Sequence, residues 1–204
     1  MRWSLRQINQ CLLSVSMLLS VSACLSISSE SPALPLYRLT AAEVQSAADV
    51  PTLAIAISSN SSRLLDGQRL WVMQADRRVQ PLADFRWAMP VPELFRQALI
   101  ETLEASGVAV AVHTPASNER LQLELRALQL ELDPAGQAQA HIAVLASWSG
   151  KNDAHANQLF EVRRDAVITS ADRAAAAMDQ ASRQLLVELS GWLQDQSRQH
   201  QSRR

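Results

Sequence analysis

The chain has 204 residues, 48% of them hydrophobic and 19% charged, with 19 Lys and Arg against 20 Asp and Glu. That is the composition of a globular chain with one ordinary domain, and its near-neutral charge argues against nucleic acid as a partner. Two cysteines and 5 glycines exclude a disulfide scaffold and leave little material for phosphate-cradling loops.

The N-terminus carries Arg2 and Arg6, then a mostly apolar stretch over residues 11–21. A charged start and a short apolar run form a signal peptide, too short for a permanent membrane helix. The stretch ends Val21-Ser22-Ala23-Cys24, which has the form of a bacterial lipobox and resembles the site cut by signal peptidase II. The chemistry needs cysteine there, because a thiolate takes the diacylglycerol as a thioether. Residues 1–23 are therefore expected to be removed, leaving Cys24 as the lipidated first residue. The alternative is an ordinary secretory signal, which leads to the same compartment without an anchor. Removing 23 of 204 residues leaves 181, and removing Arg2 and Arg6 leaves 17 basic against 20 acidic residues, a mature charge of −3. Bacterial lipoproteins generally carry three acyl chains, palmitate among them. At about 0.8 kcal/mol per buried methylene, even two chains anchor stably. Leu25, in place of an aspartate, favours the periplasmic face of the outer membrane. Cys11 leaves with the signal, so no thiol remains.

Residues 24–35 are Ser- and Pro-rich without apolar period and read as the lipidated cysteine and a tether, reaching at most about 35 Å. Residues 36–39 suggest a first short strand. Residues 52–58, 69–73 and 77–82 suggest three more, with a polar loop over 58–62 and a turn at Asp66-Gly67. Pro92 suits a first helical turn, and Leu94, Phe95, Ala98, Leu99, Thr102 and Leu103 make one helical stripe ending at Gly107. A strand is expected over 108–113.

Leu121, Leu123 and Leu125 alternate with polar residues, and Leu128, Leu130 and Leu132 do so on the other parity. A phase slip near Ala127 must be absorbed by a bulge or bend, or every later side chain changes face. Asp133-Pro134-Ala135-Gly136 has turn chemistry. A return strand runs from Ala138 to Trp148, residues 150–157 form a loop, and Phe160, Val162, Ala166 and Ile168 begin a third antiparallel strand. Ser170 caps a last helix whose stripe is Ala174, Met178, Ala181, Leu185, Leu189 and Trp192. Residues 196–204 read as a polar, frayed tail. The pattern defines an α+β fold, a largely antiparallel β-sheet with two helices packed on one face. Its single domain spans residues 36–195.

Reactive constellations are missing from the sequence. His113, His141, His155 and His200 have no metal-ligand spacing, and there is no nucleophile elbow or dinucleotide fingerprint. No catalytic residue, metal or cofactor beyond the lipid on Cys24 is expected. The unusual cluster is Asp84-Phe85-Arg86-Trp87-Ala88-Met89-Pro90. Arg86 and Trp87 are candidate partner-binding residues, since Trp and Arg are enriched at interface hot spots. The competing reading has Trp87 stapling the helix entry to the sheet and Arg86 paired with a carboxylate such as Asp84.

Residues 86–108, the Arg-Trp-Ala cluster with its amphipathic helix and Ser106-Gly107-Val108, resemble the auxiliary lipoproteins of ABC-type lipid transport systems. The lipobox at Cys24, Tyr37-Arg38-Leu39, Arg69, the Leu121-x-Leu-x-Leu segment and an Ala-rich last helix ending near Trp192 follow in the family's order. Leu36 stands where a second tyrosine is common. The resemblance covers about residues 36–195. It implies a non-enzymatic component that docks a periplasmic mammalian-cell-entry-type protein, with its permease and ATPase, at the outer membrane, singly or as a homo-oligomer. The alternatives are a free-standing periplasmic lipid-binding lipoprotein and a periplasmic hydrolase with an unrecognised site.

Overall fold

The computed structural model describes residues 34–44, 55–108, 110, 119–150 and 154–201. The expected signal peptide, Cys24 and most of the expected tether lie outside them. Among the described residues the strands are β1 (Leu36–Tyr37), β2 (Ile55–Ser61), β3 (Trp71–Met73), β4 (Val79–Pro81), β5 (Arg86–Trp87), β6 (Glu119–Leu132), β7 (Ala138–Ser149) and β8 (His155–Ala166). Two helices accompany them, α1 (Val91–Ala105) and α2 (Ala171–Gln201).

The long meander β6-β7-β8 dominates the sheet and is antiparallel throughout. The expected phase slip is there. Leu125 pairs with Val144, and Ala127 with the next residue back, Ala143, so Arg126 is the extra residue of a β-bulge. The bulge keeps Leu121, Leu123 and Leu125, and then Leu128 and Leu130, on the buried side. Ala140, Ile142, Val144 and Ala146 of β7 and Phe160 and Val162 of β8 complete that face. Burying one such leucine contributes about 1.5–3 kcal/mol.

β2 and β3 both pair with β6, and both do so in parallel. β2 lies against residues 119–125 of β6 and β3 against residues 129–131, so the two strands sit end to end along one edge. Between them the chain leaves the sheet over residues 62–70, at the level of the bulge. β4 pairs antiparallel with β3, giving the order β4-β3-β6-β7-β8. The sheet is therefore mixed but mostly antiparallel. The strand expected over residues 36–39 does not join it. As β1 it makes a separate parallel ribbon with β5, Leu36 opposite Arg86 and Tyr37 opposite Trp87.

The helices are bounded as their residues dictate. Pro92 sits in the first turn of α1. At its other end Gly107, at φ 85°, donates to the Glu104 carbonyl at 3.0 Å while Val108 donates to that of Leu103 at 2.9 Å, a Schellman stop. The Ser170 hydroxyl caps α2 by accepting from the Arg173 N–H at 3.3 Å. Leu94, Phe95, Leu99 and Leu103 of α1 and Ala174, Met178, Ala181, Leu185 and Leu189 of α2 are all buried.

Several boundaries differ from the sequence reading. β2 runs to Ser61 through residues expected to be loop, because a backbone ladder on β6 needs no apolar side chains. β8 begins at His155, inside the expected loop. Of the strand expected over residues 108–113, Val108 lies outside any strand, Val110 makes an isolated bridge, and the rest lies outside the described residues. α2 continues to Gln201, where a frayed tail was expected. Gln194 and Ser197 are buried, and Ser197 donates to the Glu119 carboxylate at 3.4 Å.

Deleting Arg126 places Leu128 and Leu130 on the solvent face and is expected to abolish cooperative thermal unfolding followed by circular dichroism. Arg126→Ala, which removes only an exposed pair with Glu124 at 3.1 Å, is expected to shift stability by less than about 1 kcal/mol.

Candidate docking surface at the entry to the first helix

The Arg86–Trp87 cluster sits where three chain segments meet. Asp84 takes a left-handed conformation at φ 55°, which a short polar residue tolerates, and turns the chain into β5. Within β5 alternation divides the pair. Trp87 is 0% exposed, while Arg86 faces solvent. The Trp87 indole meets Phe85 edge-on at 4.7 Å, and Phe85 stacks on Tyr37 at 4.5 Å. Such pairs contribute about 0.5–1.5 kcal/mol each beyond their burial. The Trp87 Nε1–H is buried with no hydrogen-bond acceptor among the described residues.

The loop that leaves the sheet beside the bulge fixes this corner. The Gln68 carbonyl accepts from the Trp87 N–H at 2.8 Å, and the Gly67 carbonyl accepts from the Val91 N–H at 3.1 Å. The Gln68 side chain receives the Arg86 Nε–H at 2.8 Å and donates to the Ala88 carbonyl at 3.3 Å. Arg86 is thus held by an amide, and not by Asp84 as the sequence suggested. Of the candidate pair only Arg86 is exposed. Trp87 lies beneath it.

The segment from Leu34 to Val44 is bound as firmly. The Tyr37 hydroxyl donates to Asp172 of α2 at 2.8 Å. That bond to a carboxylate, with burial and the negative charge adding to it, raises the Tyr37 pKa above its ordinary 10.0. Asp179 accepts from the Thr40 N–H at 2.7 Å and its hydroxyl at 2.8 Å, and the Ala42 N–H donates to Thr102 of α1 at 3.0 Å. The spacings are commensurate. Seven helical residues rise about 10.5 Å, and three extended residues advance about 10 Å. Sequence reasoning missed these partners. The available signal was the Asp172–Asp179 pair, seven residues apart on one line of the helix.

A second polar group lies on the face of the sheet opposite the core leucines. His141 Nδ1 is 2.6 Å from Glu131 and Nε2 is 3.0 Å from Glu161, while Arg163 reaches both carboxylates. Burial by itself would raise the Glu131 pKa. Hydrogen bonds from Gln129 and His141 and the charges of His141 and Arg163 outweigh it, so the pKa is held below its ordinary 4.5. The two carboxylates lie on opposite sides of the ring, so they do not converge on one point with it. Among the described residues no group of three or more His, Cys, Asp or Glu could hold a metal. Nor is any described helix long and apolar enough to cross a membrane.

The geometry is that of an α+β layer with a closely bonded corner on which Arg86 is exposed. Residues 37–190 match the family model of the ABC-type transport auxiliary lipoprotein component, and the chain belongs to that family. A crystal structure of a Xanthomonas campestris protein of the DUF330 family is 22% identical over 82% of this chain and 97% of that one, with a TM-score of 0.70. A second crystal structure, of an uncharacterized protein, is 14% identical over 76% and 99%, with a TM-score of 0.60. Both share this fold. No curated protein matches the sequence.

Trp87→Ala is expected to destabilise by about 3–5 kcal/mol in denaturant titration, and Arg86→Ala by less than about 1 kcal/mol. Because the folded Glu131 pKa is depressed, its stabilisation is present above 4.5 and lost as pH falls below that value. Glu131→Gln is expected to lower the melting temperature at neutral pH, with the gap to the wild-type chain closing in more acidic buffer.

Proposed function

We propose that this lipoprotein is a non-enzymatic accessory component of an ABC-type system that moves lipids or other hydrophobic substrates between membranes. Lipidated at Cys24, it is held on the periplasmic face of the outer membrane. There it docks a periplasmic mammalian-cell-entry-type protein, itself coupled to a permease and an ATPase. The family match over residues 37–190 carries this reading.

Two further observations support it. The lipobox places the anchor ten residues before Leu34, and the chain beyond Leu34 is hydrogen-bonded to both helices through Tyr37, Thr40 and Ala42. A domain gripped at the point where its tether arrives is suited to holding a partner at a fixed place on a membrane. Arg86 is the residue assigned to partner contact, since it is exposed and held in place by Gln68.

Crosslinking cells that carry the full-length lipoprotein, then purifying it by affinity and identifying partners by mass spectrometry, tests the reading. Recovery of a mammalian-cell-entry-type protein with its permease or ATPase is expected, and Arg86→Glu is expected to reduce that recovery without changing the melting temperature by more than a few degrees. Recovery of the lipoprotein alone would instead favour a free-standing lipid-binding role.

A further inference from the structure

The segment that emerges from the tether has two faces. Tyr37 and Leu39 point inward, the latter fully into the core. Leu34 and Leu36, of the opposite parity, are 47% and 61% exposed. Arg38 continues that outward parity and is exposed. In the parallel ribbon Leu36 lies opposite Arg86, and residues directly opposite each other project to the same face. Arg173 stands at the same end, next to Asp172, which holds the Tyr37 hydroxyl.

Single exposed leucines are commonplace and need no explanation. These two differ in their company and their position. Arg38, Arg86 and Arg173 have no ion-pair partner among the described residues, although the chain as a whole carries a net charge of −1. Of the acidic groups nearby, Asp172 is engaged by Tyr37, and Asp84 lies two residues before Arg86. The patch also lies where the chain arrives from Cys24, ten residues away and so within about 35 Å of the acyl chains.

We propose that this face, Leu34 and Leu36 with Arg38, Arg86 and Arg173, rests on the anionic headgroup layer of the membrane that holds the protein's own acyl chains. The inference rests on the lipid-anchor reading above. The leucines enter the interface and the arginines meet lipid phosphates, as on interfacial protein surfaces generally. The contact sets which way the domain faces. Both helices begin at this end, since α1 starts three residues after Ala88, whose N–H donates to the Tyr37 carbonyl. Both helices then point away from the bilayer. Arg86 acts at the rim of this face, where a docked partner would also meet lipid.

The test uses full-length acylated protein in phosphatidylcholine vesicles with and without phosphatidylglycerol. Cys11 is removed and Cys24 acylated, so a cysteine introduced by Leu36→Cys is unique and takes a nitroxide label. A second label through Val187→Cys, an exposed position on α2, is the reference. Flotation reports the anchor, and collision with oxygen against a nickel chelate reports label depth. On anionic vesicles the label at position 36 is expected at headgroup depth and the one at 187 in water. Arg38→Ala or Arg173→Ala is expected to lower the ratio of seated to lifted domains about fivefold each, and high salt to lift the domain altogether. A label at 36 that is aqueous on floating protein overturns the proposal and leaves the anchor intact, as does immersion that ignores phosphatidylglycerol. Dipolar broadening between labels at 36 would assign the patch to a second copy and also overturn it. Protein that does not float overturns the anchor reading and this inference together.

Discussion

One inserted residue governs this architecture. Arg126 shifts the phase of a 14-residue strand so that leucines of both parities face the same core. The same spot is where the neighbouring edge changes hands between β2 and β3, and where the chain makes its excursion out of the sheet. That excursion delivers Gly67 and Gln68 to the entry of α1. The placement of Trp87 thus follows from a register problem solved one strand away. A bulge is tolerated there because its extra residue is charged and faces water, while the ladder resumes within one residue.

The corner so built concentrates apolar mass beneath an exposed charge. Tyr37 stacks on Phe85 and Phe85 meets Trp87 edge-on, and Arg86 stands outside them on a backbone whose hydrogen bonds are satisfied by Gln68 and Tyr37. Burying the Trp87 N–H without a partner among the described residues costs about 1–3 kcal/mol. The indole's buried area offsets that cost. Rigidity here lets one exposed guanidinium hold a defined position, since the strand bearing it cannot rotate without withdrawing the tryptophan.

Much of the fold was legible because its signals are periodic. The parity change at Ala127, the turn at residues 133–136, the Schellman glycine and the cap at Ser170 are local, and each appears as expected. The parallel pairing of β2 and β3 with β6 was not legible, because both are short and their partner lies about 60 residues onward. Nothing in a three-residue strand such as Trp71–Met73 encodes direction. β2 continues through Ser58, Ser59 and Asn60 in its backbone ladder with β6, which polarity patterns cannot foresee. The helical tail at Gln194 and Ser197 was hidden likewise, by polar residues that are buried against β6. Of the candidate pair, the sequence could propose Arg86 and Trp87 together. It could not divide them, since only the β5–β1 ribbon decides which side of the strand is wet. The Asp84 partnership for Arg86 was the near neighbour in sequence, and Gln68, 18 residues away, is the neighbour in space.

The ladder of bonds from Tyr37, Thr40 and Ala42 onto the two helices has a mechanical meaning. The segment runs in the same direction as α2 and is tied to it at matching intervals. A pull on the segment along that axis therefore loads these bonds simultaneously, in shear. A chain attached at right angles would open one bond at a time, like a zipper. A domain whose leading segment is fastened in this way resists a pull on that segment with several bonds at once.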